Sequence, residues 1–390
     1  MSQFFNNYSN LTCSIIILSA WILGEIGAYF PKIPKISIYI ILGFIVNKLQ
    51  IDSLNITNNS SIIYLVHIIS GIMLFEFGYR INLNWLKNNP IIIVTSIFES
   101  TITFFIIFFI SKHFGVSNIT SFEIASLSIA TSPFVIMYIT REQQSAGQVT
   151  ERILHLTALN CIYAVFMFKV VLGLMVLNKS GSVWQATYAS LLSISLSIIL
   201  GILLSFFIYY IIKLINKIPQ NIPVVTSLII ILMSAITNSL GTSTIIAALT
   251  FGVVSRHMKI ALEKKYYNFG ALESVLTVVL FLISSSSFGW HNFNLHIELA
   301  ILLFLSRIFI KVLVISVFSF YSGISFNKGV LTGLALTPVS ICSILLLDQN
   351  FSILRELNPE ILVFSTLILL AELVGPVLTQ YAIMKAKEDR

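Results

Sequence analysis

The chain is a succession of long apolar runs separated by short polar connections. Thirteen are legible, at about 11–30, 35–47, 61–78, 91–111, 122–139, 153–177, 186–212, 222–238, 241–255, 270–289, 297–320, 328–347 and 360–384. Most reach the roughly 18–20 residues that carry a helix across a bilayer of about 30 Å. Backbone in lipid must satisfy its own hydrogen bonds, so each run at that depth is a helix. The alternation of a barrel strand is absent from the sequence. The pattern predicts an all-α polytopic membrane protein. The second and ninth runs are short and are expected as half-helices or re-entrant segments. The first has no positive charge ahead of it and no small-residue cleavage site, so it is expected to span rather than to serve as a leader.

Two runs are interrupted from within. The fifth reads SIATSPFVIMYI and holds Thr131, Ser132 and Pro133, and the twelfth reads GLALTPVSICSILLL and holds Thr337 and Pro338. Proline removes a helical hydrogen bond and crowds the preceding turn, so both helices should kink or unwind there. With the seventh run as linker, the breaks fall in the fifth helix of each of two six-helix repeats that run in opposite directions. Paired interruptions in inverted halves point to a transport site at the bilayer midplane.

Composition sharpens this picture. Of 390 residues, 57% are hydrophobic and 10% are charged, against about a quarter charged in a soluble protein. With the N-terminus outside, sixteen of the 23 Lys and Arg fall on inner connections, helix ends and the C-terminal tail. Lys48, Lys112, Lys179 and Arg355 fall outside, and Lys169, Arg307 and Lys311 lie within runs. That bias predicts thirteen helices with the C-terminus cytoplasmic. The +7 charge thus serves orientation, and no basic patch for nucleic acid exists. The three cysteines, Cys13, Cys161 and Cys342, all lie in apolar runs and form neither a disulfide framework nor a metal motif. No connection is long enough to fold as a soluble domain, and no cofactor motif is present.

Several stretches, in this order and spacing, resemble the monovalent cation:proton antiporter superfamily, of the sodium/hydrogen exchanger type. They are PKIPKISIYIILGFIVNKL, MLFEFGYRINLNWL, ATSPFVIM, LTALNCIYA, GTSTIIAALTFGVVS and LSRIFIKVL. The resemblance runs from Leu11 to Ile383. It implies a single transporter domain, with core helices at about 91–177 and 297–384 moving against a panel at about 11–78 and 222–289. It also implies a homodimer; the expected setting is a bacterial inner membrane. The expected activity is exchange of sodium or potassium for protons, which is transport and not enzymatic chemistry.

The resemblance also locates a departure. Where the family's ion-binding helix carries Asn-Asp or Asp-Asp, this chain has Asn160-Cys161, and its crossing segment has Thr131-Ser132-Pro133 in place of Thr-Asp-Pro. The chain's aspartates, Asp52, Asp348 and Asp389, lie in connections or the tail. Hard monovalent cations prefer oxygen ligands, which Asn160, Thr131, Ser132 and freed carbonyls can supply. Cys161 either lines that site or fills space as a small apolar residue. Glu76, in LFEFG, is the expected replacement proton carrier; the alternative is an ion pair with Arg80, one helical turn on. Arg307 and Lys311 share one helix face, and one of them must find Glu99, Glu372 or a helix C-terminus as a partner. Two other functions stay open at this point. One is a same-fold carrier or facilitator for a neutral or anionic solute, and the other is a non-transporting sensor or assembly module.

Overall fold

The computed structural model describes residues 9–27, 29, 33–48, 60–177, 183–215, 222–258, 271–286, 297–339, 343, 346 and 362–389. Fifteen α-helices lie among these residues. They are α1 (Ser9–Gly27), α2 (Lys35–Lys48), α3 (Ser60–Arg80), α4 (Leu83–Asn88) and α5 (Ile91–His113). Then come α6 (Asn118–Ser128), α7 (Pro133–Glu142), α8 (Gln148–Leu177), α9 (Val183–Ile215) and α10 (Ile222–Ser239). The last are α11 (Thr244–His257), α12 (Ala271–Ser286), α13 (Ile297–Ser319), α14 (Phe326–Ala335) and α15 (Leu362–Lys385). Seven of them, α3, α5, α8, α9, α10, α13 and α15, are long and apolar enough to cross a membrane. The short second and ninth runs are α2 and α11, each unbroken over 14 residues. Most of the second half of the twelfth run, the connection 259–270, and Lys32, Lys179, Lys217 and Arg355 lie outside the described residues.

The fifth run is two helices, α6 and α7, parted by Ile129–Ser132. Proline explains the restart: Pro133 is the first residue of α7, where its missing N–H costs nothing. The Ser132 hydroxyl accepts from Val135 N and caps that helix. Ser117, Ser243 and Ser325 cap α6, α11 and α14 in the same way, each such cap being worth about 1 kcal/mol. In the twelfth run α14 stops at Ala335, and the chain passes through Pro338 without helical structure. There the two breaks cross. Ser132 N donates to the Pro338 carbonyl at 3.1 Å, and Thr131 and Val339 form an isolated antiparallel bridge.

Helices group around the crossing. α5 packs on α6, α8 and α13, and α14 packs on α13 and α15. Elsewhere α11 lies against α3 and α9, and α12 against α2. Small residues permit the closest of these contacts. A Cβ on Gly252 would meet the Phe75 carbonyl at 2.1 Å, and one on Gly78 would meet that of Leu249 at 2.4 Å. The C-terminal tail is anchored on the start of α8. Glu388 accepts hydrogen bonds from Val149 N, Thr150 N and the Thr150 hydroxyl, placing a carboxylate on the N-terminus of α8 where the helix dipole favours it.

Candidate functional site

Helix α5 carries a polar stripe through an apolar run: Ser96, Glu99, Ser100 and Thr103, spaced three, four and seven apart, so all on one face. All four are buried. That face meets α8 at Asn160. The Asn160 Nδ2 donates to Glu99 Oε2 at 2.7 Å. Its Oδ1 accepts from the Ser96 hydroxyl at 2.7 Å and the Ser100 hydroxyl at 3.3 Å. From the opposite side, α13 delivers Lys311, whose Nζ donates to Glu99 Oε1 at 2.6 Å and to the Thr131 hydroxyl at 3.3 Å. The Thr103 hydroxyl also donates to Glu99 Oε1 at 3.2 Å. Glu99, Asn160 and Lys311 are each 0% exposed. A charge at this depth costs about 2.5–3.5 kcal/mol on insertion scales, and here each has an opposite charge or a full set of donors.

Arg307, one turn before Lys311, does something different. Its Nε donates to the Ser128 carbonyl at 2.7 Å, and its Nη2 to those of Ala130 at 2.9 Å and Pro338 at 3.4 Å. Its Nη1 donates to the Thr337 carbonyl. These carbonyls end α6 and α14, the two helices that stop at the crossing, and helix C-termini carry unpaired acceptors and partial negative charge. One guanidinium satisfies both breaks. Of the partners expected for the two cations, Lys311 takes Glu99 and Arg307 takes the helix C-termini.

The other expected residues divide. Thr131 and Cys161 join the cluster, the Cys161 thiol donating to the Thr131 carbonyl at 3.1 Å. Ser132 is at the crossing, but its hydroxyl is used as a helix cap. Glu76 pairs with Arg80 at 3.5 Å and with Arg141 at 3.9 Å, which is the ion-pair alternative. The acid hydrogen-bonded to Asn160 is Glu99, which the sequence offered only as a partner for a cation. Its signal was the polar stripe of α5, visible only once the helix face is counted.

His155 and Lys169 stand apart from the cluster. His155 is buried; its ring stacks on Trp85 and bonds to Asn82 and to the Glu151 carbonyl. Lys169 donates to Ser193 and to the Gly241 carbonyl. A cavity of about 220 Å³ opens beside Lys35, Tyr138, Arg141, Glu142, Ser274 and Thr277, between α2, α7 and α12.

Comparisons with known proteins agree with this architecture. The family model described as sodium/hydrogen exchanger, transmembrane, matches residues 14–382. A structure of the sodium proton antiporter MjNhaP1 from Methanocaldococcus jannaschii at pH 8 superposes with a TM-score of 0.70. The match is 17% identical and covers 98% of this chain and 96% of that one. An electron-microscopy structure of the same antiporter gives a TM-score of 0.73 at 18% identity, covering 97% and 95%. No curated protein sequence matches the chain.

Proposed function

This chain belongs to the sodium/hydrogen exchanger family and works as a cation:proton antiporter, and we propose that Glu99 is the carboxylate through which it does so. The observation that carries this reading is the seat of the Lys311 ammonium, buried between Glu99 and the Thr131 hydroxyl. A bare sodium or potassium ion has the same charge and seeks the same oxygens. Glu99, Thr131, Asn160 Oδ1 and the turned hydroxyls of Ser96 and Ser100 provide them. Two positive charges side by side in a dry site repel strongly. For a cation to enter, Lys311 must leave Glu99 or release its proton, so cation and proton compete for one seat. Competition for a seat that alternates between two sides is antiport.

The neutral- or anionic-solute carrier and the sensor were motivated by a site without a carboxylate, and Glu99 supplies one. In this reading Asn160 orients Glu99, Thr131 and the crossing carbonyls complete the site, and Cys161 fills space beside it. Arg307 neutralises the crossing so that the core, α5–α8 with α13–α15, can move as one body. The panel is α1–α3 with α10–α12, and the cavity between α2, α7 and α12 is the inner approach. Glu76, with Arg80 and Arg141, joins panel to core by an ion pair near that mouth. The proposed setting is a homodimer in a bacterial inner membrane, N-terminus outside and C-terminus in the cytoplasm.

Isotopic sodium and rubidium uptake into proteoliposomes tests the competition. On the acid side the apparent KM for the cation should rise about tenfold per pH unit, as one-proton competition requires. A KM independent of pH contradicts it.

A further inference from the structure

α15 faces the crossing with a stripe of its own. A Cβ on Gly375 would meet the Pro338 Cα at 2.7 Å, and the Thr379 hydroxyl donates to the Ala335 carbonyl at 2.9 Å. Glu372 lies one turn before Gly375 on the same face. It is 0% exposed, and neither of its carboxyl oxygens has a hydrogen-bond partner among the described residues.

The elements packed against α15 are α14, α13, α2 and α7, and their cations are engaged elsewhere. On α13, Lys311 holds Glu99, and Arg307 holds the crossing carbonyls. Lys35 on α2 pairs with Glu25, and Arg141 on α7 with Glu76. Lys328 on α14 donates to Gln148. Lys48, Glu142 and Glu298 sit at the ends of their helices, as Tyr39 and Tyr138 line α2 and α7. An acid with neither cation nor donor at lipid depth is carried in its neutral form. Buried ionisable groups of this kind in membrane helices mark proton or ion pathways.

We propose that Glu372 is a second proton carrier of the core, releasing its proton to water on the side where the cation is taken up and regaining one on the other. The proposal rests on the antiport reading above. At the Glu99–Lys311 seat, a cation replaces the ammonium proton one for one and leaves the charge unchanged. A second proton on Glu372 makes the proton-loaded core one unit more positive than the cation-loaded core. Each cycle then exchanges two protons for one cation and moves charge. Both acids border the crossing: Lys311, which holds Glu99, also donates to Thr131, and Gly375, one turn from Glu372, packs against Pro338.

Currents on a solid-supported membrane after a sodium jump, read beside a pH dye in the same proteoliposomes, test this. Wild type should give both a pH change and a current. Glu372→Gln should keep the pH change and lose at least about nine-tenths of the current, while Glu372→Asp, which keeps the acid, retains it. If Glu372→Gln does not fold, Glu372→Met leaves no polar group to satisfy and carries the same comparison. A wild type that exchanges without current overturns the proposal and leaves the antiport reading standing. So does full current in Glu372→Gln, which would make Glu372 a structural acid. Absence of any cation-driven pH change in wild type overturns the antiport reading, and this proposal with it.

Discussion

The Asn160 amide and the Glu99 carboxylate meet at 2.7 Å across α8 and α5, the nitrogen donating. The amide is held at its other end by the hydroxyls of Ser96 and Ser100, so its orientation is determined by the network. α8, which carries Asn160-Cys161 at this depth, therefore faces a carboxylate supplied from the neighbouring helix.

Asn160→Ala removes a hydrogen bond to a charged group, worth about 1.5–3 kcal/mol. The apparent affinity for the cation should fall about 10- to 100-fold in isotope uptake. An unchanged KM would place the cation elsewhere.

Lys311→Gln leaves Glu99 buried without its charge, a loss of about 3–5 kcal/mol. Its melting temperature in choline buffer should drop well below wild type, and sodium should restore more of it than in wild type, because a bound cation stabilises the folded state. The double variant Glu99→Gln/Lys311→Gln should melt above Lys311→Gln alone and show no sodium effect. Non-additivity in this cycle, read by differential scanning fluorimetry, measures the pair.

Arg307→Lys keeps the charge but not the fork. A lysine ammonium is a point charge and cannot span carbonyls from two helices as the planar guanidinium does. At least two buried carbonyls then lose their donor, at about 1–3 kcal/mol each. Exchange should fall at least about tenfold, and the melting temperature should fall in both sodium and choline, unlike that of Lys311→Gln.

The sequence showed the fold plainly because lipid leaves the backbone few options. Apolar length marked the helices, and Pro133 and Pro338 marked the breaks; the serine caps of α6, α7, α11 and α14 emerged only with the structure. Site geometry was legible in part. Asn160 and Thr131 were singled out because they are polar at depth, and Lys311 because a buried cation needs an anion; the structure brings the three together around Glu99. Glu99, the proposed working acid, was passed over because α5 has no proline, glycine or paired motif to mark it. The carboxylate contact is made between residues 61 positions apart, which no local pattern encodes. Glu76 drew the eye through a local motif, yet in space it is paired with two arginines.

Cys161→Ala deletes one weak thiol hydrogen bond and a small volume. Exchange should stay within about threefold of wild type, and the buried thiol should resist a membrane-impermeant maleimide in the native protein. Loss of exchange in this variant would give Cys161 a direct part in binding.

The central claim is that the working acid is Glu99, and one comparison addresses it directly. Wild type, Glu99→Gln and Glu76→Gln, each monodisperse after purification, would be placed in vesicles with a pH-sensitive dye and challenged with sodium, potassium or lithium. The account predicts a cation-driven pH change in wild type, none in Glu99→Gln, and a response that persists in Glu76→Gln. A response that survives in Glu99→Gln and vanishes in Glu76→Gln would contradict it, and would move the proton carrier to α3.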